Sequence, residues 1–243
     1  MDEFFEICRE TGIPDPEDFR GKCETLRTLL VEGNKVCNLT RILAEEEFFL
    51  KHVVDSLLLA VEFPELTKTT IFLADVGCGA GFPSLVLALA FPAWKICAID
   101  STGKKSDCVR GTAQTLKLKN LTALHGRAVE LNRKAEFHGR FDVVTARAVA
   151  PSYKLAAETT AFLKESGFYA FYKTPEQAKE ELPILARDGR RGHLPAAVVR
   201  EAVGVADGRT MQSVVGVGDG VGRKRCTIDD RQDLLMKTRL PRQ

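Results

Sequence analysis

The spacing of apolar positions along the chain changes near residue 70. Before it, hydrophobic residues recur at helical intervals. Phe4, Phe5, Ile7 and Cys8 among acids predict a short amphipathic helix over 2–11. Pro14-Asp-Pro-Glu17 offers Asp15 as an N-cap and Pro16 as the first residue of a second helix, which reaches Leu30 and Val31 and is expected to end at Gly33 and Asn34. Asn38-Leu-Thr-Arg41 reads as a polar turn. A third helix from Glu45 places Phe48, Phe49, Val53, Leu57 and Ala60 in one stripe and Lys51, His52, Asp55 and Ser56 on its other face. An all-helical cap over 1–66 is therefore expected.

From Ile71 the pattern alternates between short apolar runs and helical stretches. Strands are expected at 71–76, up to Asp100, at Leu121–Leu124, at Phe141–Ala146 and at Phe168–Tyr172. Helices are expected over Phe82–Phe91, over 104–117 and after Pro151, with a polar loop between 125 and 140. Such alternation predicts an α/β core over 67–183, a mostly parallel sheet covered by helices on both faces. Cap and core together make one domain, 1–183. Right-handed crossovers bring the carboxyl ends of neighbouring strands together at one edge, where open α/β sheets bind ligands.

The pattern lapses after Tyr172, beyond which no aromatic residue occurs, although fourteen Phe, three Tyr and one Trp precede that point. Residues 186–225 are rich in Gly, Arg and Val, as in Val214-Val-Gly-Val-Gly-Asp-Gly-Val-Gly222. A sheet of this kind finishes with two more strands, and neither is assignable from the pattern. The segment 184–243 is expected to be atypical, either poorly ordered or translated from an altered reading frame.

A length of 243 residues suits one such domain and a sizeable core. A net charge of +2 gives no general polyanion affinity, so any nucleic-acid contact must come from a local patch. Seven single cysteines, at 8, 23, 37, 78, 97, 108 and 226, show neither a Cys-x-x-Cys pair nor zinc spacing, as in reduced cytosolic proteins. No metal site is expected. Neither a signal peptide nor a membrane span is expected at the N-terminus, and a cytoplasmic monomer is the expectation.

The chemistry concentrates in Asp75-Val-Gly-Cys-Gly-Ala-Gly-Phe82. Glycines at 77, 79 and 81 permit positive φ and close backbone approach to a ligand where a strand turns into a helix. Asp100, ending the next apolar run about 20 residues on, stands where nucleotide-binding folds carry their ribose-binding acid. A dinucleotide turn has its third glycine three positions after the second; here the interval is two. The pattern Asp-x-Gly-x-Gly-x-Gly with a following acid resembles the Rossmann-like class I S-adenosylmethionine-dependent methyltransferases more than the nicotinamide dehydrogenases.

Further motifs narrow the resemblance. Asn34-Lys-Val-Cys-Asn-Leu-Thr40, Lys51-His-Val-Val-Asp-Ser-Leu57, Asp100-Ser-Thr-Gly-Lys-Lys105, Gly126-Arg-Ala-Val-Glu130, Thr145-Ala-Arg-Ala-Val-Ala150 and Tyr172-Lys173, in this order, are similar to the RsmG (GidB) family of bacterial 16S ribosomal RNA guanine-N7 methyltransferases. The resemblance covers about Asn34 to Leu182. It implies S-adenosyl-L-methionine as cofactor and 16S rRNA or the small ribosomal subunit as partner. It implies that Gly77 and Phe82 meet the methionine part, that Asp100 and Ser101 face the ribose, and that Ala128 and Val129 border the adenine. Arg147 would stand beside the methyl-donating centre and position the substrate. An acid is common in the family where Val129 stands, and family members end in an Arg-containing strand pair that the tail does not clearly supply.

Guanine N7 already carries an in-plane lone pair, so no general base is nominated. The cofactor set is Asp75, Gly77, Gly79, Gly81, Phe82, Asp100, Ser101, Ala128, Val129 and Arg147; Arg127, Lys104 and Lys173 are candidates for RNA phosphate. A structural reading stands beside each: Arg147 paired with an acid, His52 as a buried and satisfied histidine, Cys78 as a small filler, Asn38 and Thr40 as turn formers. A nicotinamide oxidoreductase and a non-catalytic RNA-binding module are the rival functions.

Overall fold

A computed structural model describes residues 2–147, 149–190, 196–202 and 211–217. The cap begins with α1 (Asp2–Glu10) and α2 (Pro16–Cys37). Asp15 caps α2 as expected, its carboxylate accepting the Asp18 N–H at 3.0 Å. The helix does not stop at Gly33 and Asn34. It runs on to Cys37 and ends where Asn38 adopts left-handed φ 47 and donates its N–H to the Asn34 carbonyl. Its two interior glycines, Gly21 and Gly33, cost about 1 kcal/mol each, which the buried face of Phe19, Cys23, Leu26 and Leu30 exceeds.

After α3 (Glu45–Phe48) comes a π-helical turn, Phe49–Val54, and then α4 (Asp55–Glu62). The extra residue in such a turn rotates the downstream side chains by about 100° around the axis. His52 and Ser56, placed on the polar side of the expected stripe, are 3% and 0% exposed and lie against the sheet, so His52 is the buried histidine of the structural reading.

The core alternates β1 (Phe72–Val76), α5 (Ser84–Ala90), β2 (Lys95–Asp100), α6 (Gly103–Thr115), β3 (Leu121–His125), α7 (Ala128–Leu131), β4 (Phe141–Arg147), α8 (Ser152–Glu158), β5 (Leu163–Lys173) and α9 (Pro175–Arg190). The stretch expected to be a polar loop thus holds α7 and a short 3-10 turn, anchored by buried Leu131 and Phe137. Thr174 and Gln177 form a reciprocal capping box at the start of α9.

Two strands follow, β6 (Ala196–Ala202) and β7 (Met211–Val217), which the sequence pattern left unassigned. The sheet order is β3-β2-β1-β4-β5-β7-β6, parallel except where β7 pairs antiparallel with β5 and β6. The rest of the atypical segment, 191–195, 203–210 and 218–243, lies outside the described residues.

Successive strand residues enter opposite cores. Leu73, Val143, Phe168 and Tyr172 join the cap in one; Ala74, Val144, Tyr169 and Phe171 join Phe137, Phe141 and Phe162 in the other. Order reverses between β1 and β4, so their carboxyl ends open a crevice there.

Candidate functional site

The glycine turn is tied to the end of β2. The N–H groups of Gly77 and Cys78 both donate to the Ile99 carbonyl, at 2.7 and 3.0 Å, and Gly79 N–H donates to Asp100 Oδ2 at 2.9 Å. All three glycines have positive φ, +72, +55 and +92. A Cβ at Gly77 would overlap the Val149 side chain and one at Gly81 the Leu85 side chain, whereas at Gly79 the nearest atom is 3.9 Å away. Packing within the protein therefore requires two of the glycines, and the third faces open space. Cys78 is buried inside the turn, and burial drives its thiol well above the ordinary range. It is a filler.

The two acids are placed differently. Asp100 keeps both oxygens in backbone bonds, Oδ2 to Gly79 and Oδ1 to the Thr102 N–H at 2.8 Å. Each oxygen retains a second lone pair for a hydroxyl. Asp75 is fully buried; Oδ2 accepts the Ser84 hydroxyl, while Oδ1 has no partner among the described residues. Burial pushes its carboxyl up to about 6, opposed by the Ser84 bond and the Arg147 charge. Thr145, directly across from Asp75 on β4, likewise holds a buried hydroxyl without a partner among the described residues.

Arg147 ends β4 and crosses to the cap. Its Nη1 donates to the Lys51 carbonyl and its Nη2 to His52 Nδ1, both at 2.8 Å, with Asp55 Oδ2 3.9 Å from Nη1. The His52 ring stacks on Phe82, centroids 4.2 Å apart and 5° from parallel, and the guanidinium lies 5.7 Å from the same ring. Thr40 Oγ1 is 3.2 Å from His52 Nε2, and the Thr40 N–H donates to Asn34 Oδ1. The structural pairing considered for Arg147 is thus real but weak at 3.9 Å, and its stronger partners are a carbonyl and a histidine. Phe82 is 3% exposed, its ring packed against His52 and Phe48.

Around this centre, Gly126 N–H donates to the Asp100 carbonyl at 2.9 Å, which seats Arg127, Ala128 and Val129 beside that acid. Arg127 is exposed, as are Val129 (40%), Ser101 and Lys104 at the first turn of α6. Lys173 is not available to RNA. It is 5% exposed, its Nζ donating to the Ala150 carbonyl at 2.7 Å and to Glu181 Oε1 at 3.1 Å.

Asn34 was legible only as a helix end, Thr40 only as a turn former and His52 only as a buried, satisfied histidine. Their joint hold on Arg147 depends on contacts between residues more than 90 positions apart. Tyr172, which donates from its hydroxyl to the Ser56 carbonyl at 3.0 Å, belongs to the same buried polar layer.

Three neighbouring strand ends thus bring together a glycine turn, a carboxylate and an arginine, and with this strand order they define a Rossmann-like class I methyltransferase. A solved S-adenosylmethionine-dependent methyltransferase from Aquifex aeolicus shares the fold, with TM-score 0.53 at 16% identity over 77% of this chain and 98% of that one. The chain belongs to the rRNA small subunit methyltransferase G (GidB) family, whose model matches residues 21–188. A ribosomal RNA small subunit methyltransferase G of Leuconostoc citreum is 38% identical over 167 residues, 69% of this chain and 70% of its own length. Its counterpart in Lactococcus lactis is 38% identical over 181 residues, 74% and 75% of the two chains. Among the described residues no helix is long and apolar enough to cross a membrane.

Proposed function

We propose that this enzyme transfers a methyl group from S-adenosyl-L-methionine to N7 of a guanine in 16S rRNA. The observation that carries the reading is the convergence of Gly79, Asp100 and Arg147 on one crevice, in a chain of this family.

The residues present fit the cofactor. Asp100 holds two lone pairs for ribose hydroxyls, and the 126–129 loop beside it offers Ala128 and Val129 as an adenine border. Ser101 flanks the acid on its exposed side. Gly79 leaves room for close approach, with Gly77 and Gly81 fixing the turn that presents it. Asp75 Oδ1 and Thr145 Oγ1, unpartnered beneath the crevice among the described residues, suit a bridging water or an ammonium group. The cofactor supplies an electrophilic methyl on a sulfonium.

Guanine N7 attacks with a lone pair, and no proton leaves with the reaction. The protein's task is alignment, worth up to about 7–11 kcal/mol of the barrier. Arg147 has donors left over for the O6 and N7 edge in the pre-reaction pose, or for a carboxylate or phosphate. Arg127 and Lys104, both exposed at the same sheet edge, serve RNA phosphate. Exposed large hydrophobics among the described residues, Val36, Phe72, Val129 and Val149, lie on four separate segments, which supports the reading as a monomer, and an rRNA substrate goes with a cytoplasmic location.

Labelled methyl transfer to small subunits lacking N7 methylation, followed by nucleoside mass spectrometry, tests the reading. N7-methylguanosine is expected. Cofactor binding without that product would remove the proposed substrate, and thermal protection by NAD but not S-adenosylmethionine would replace the enzyme class.

A further inference from the structure

The guanidinium of Arg147 is aimed by groups outside its own strand. A guanidinium only donates, so the nitrogen of His52 that meets Nη2 must be unprotonated. That fixes the tautomer: Nδ1 accepts from Arg147, and Nε2 carries the proton and donates to Thr40 Oγ1. Thr40 is held in turn by Asn34, in the last turn of α2, and also accepts the Ile42 N–H at 3.1 Å. Phe82, stacked on His52, sets the plane of the imidazole.

We propose that His52 is the positioning residue of Arg147, its Nδ1 and the adjacent Lys51 carbonyl gripping one N–H on each terminal nitrogen so that the remaining donors face the crevice. Three N–H groups stay over. One, on Nη1, lies toward Asp55; those on Nε and Nη2 are adjacent and match a planar two-acceptor edge such as O6 and N7 of guanine. Among the described residues no acceptor meets Nε–H. The same site could not use a protonated histidine, which would offer a second cation and no acceptor. Burial holds the His52 imidazole down to about 3, so it stays neutral throughout the working range.

This inference rests on Arg147 acting as the residue that positions guanine, and its test separates the two. In His52→Asn the amide oxygen can stand where Nδ1 was; His52→Phe keeps the stack on Phe82 but has no acceptor; His52→Gln reaches toward Thr40 instead. Positioning predicts that the Phe and Gln variants lose roughly a hundredfold in kcat, with KM for the cofactor little changed, and that Asn recovers most of the loss. A structural histidine predicts the reverse order, with Phe the mildest change. Phe as active as wild type, or Asn as impaired as Phe in folded protein, overturns the proposal.

Nitrogen-15 NMR of the intact protein gives a readout that needs no substrate. Nδ1 of His52 should resonate as an unprotonated, hydrogen-bonded nitrogen and shift on Arg147→Ala. Protonated Nδ1 in the wild type would overturn the inference whatever the activity shows. Absence of methylated product from the wild type would instead count against the guanine reading, leaving the tautomer to be decided by the spectrum.

Discussion

Burial moves the Asp75 carboxyl from 3.8 up to about 6, so the folded protein retains a proton there that the unfolded chain releases. With more protons on the native state, stability must fall as pH rises through that interval, by about 3 kcal/mol once both states are ionised. Asp75→Asn should remove this slope. Urea titrations between pH 4 and 7 are expected to show wild type losing stability relative to the variant, and parallel curves would show that the carboxyl is not so displaced. The glycines divide in the same way between folding and function. Gly81→Ala meets Leu85 at φ +92 and should cost well over 2 kcal/mol, read as a large fall in Tm. Gly79→Ala meets open space and should cost only about 1 kcal/mol. Its deficit should appear in calorimetric cofactor binding instead. The glycines and Asp100 were legible because backbone conformation imprints itself on local sequence. The parts that His52 and Thr40 play at Arg147 were not, since a polar residue on a helix or in a turn discloses nothing about what lies opposite.

Helix ends account for much of the difference between pattern and structure. Asp15 and Pro16 announced the start of α2 through a side chain that bonds three residues ahead. Its end was set by Asn38 in the left-handed region, a conformation that Gly33 suggested but did not adopt. Asn38→Gly should therefore be tolerated or slightly stabilising, and Asp15→Ala should cost about 1 kcal/mol, both checked by thermal unfolding. The π turn was hidden for a different reason. An apolar stripe through Phe48, Phe49, Val53 and Leu57 fits an ordinary helix, and only the carbonyl of Lys51, taken up by Arg147 from the sheet, shows why an extra residue is accommodated.

At the scale of the molecule, the mostly parallel sheet with helices on both faces followed from alternation of strand and helix, and its two closing strands did not, because Gly-Val repeats carry no clear period. We keep the proposal that the tail derives from an altered frame. Translating the neighbouring frames of the gene should disclose an aromatic-containing strand pattern, and finding none would dismiss it. Basic residues also separate by role. Lys173, buried against Glu181, serves folding: Lys173→Ala takes the ion partner from a half-buried carboxylate that keeps only the Ser152 N–H, and should destabilise by about 1–3 kcal/mol in denaturant titration. Arg127→Ala should leave Tm unchanged while weakening binding to small subunits and reducing its salt dependence by about one phosphate contact.

The bond between Arg147 and His52 joins two stretches of chain that meet nowhere in sequence, one ending before the first strand and one closing the fourth. The crevice is accordingly a seam and not a property of the sheet. A graft of residues 71–173 onto a foreign helical cap would inherit every glycine and both acids, yet its arginine would have nothing to aim it. Recombination within this fold should therefore succeed only when cap and sheet are exchanged together.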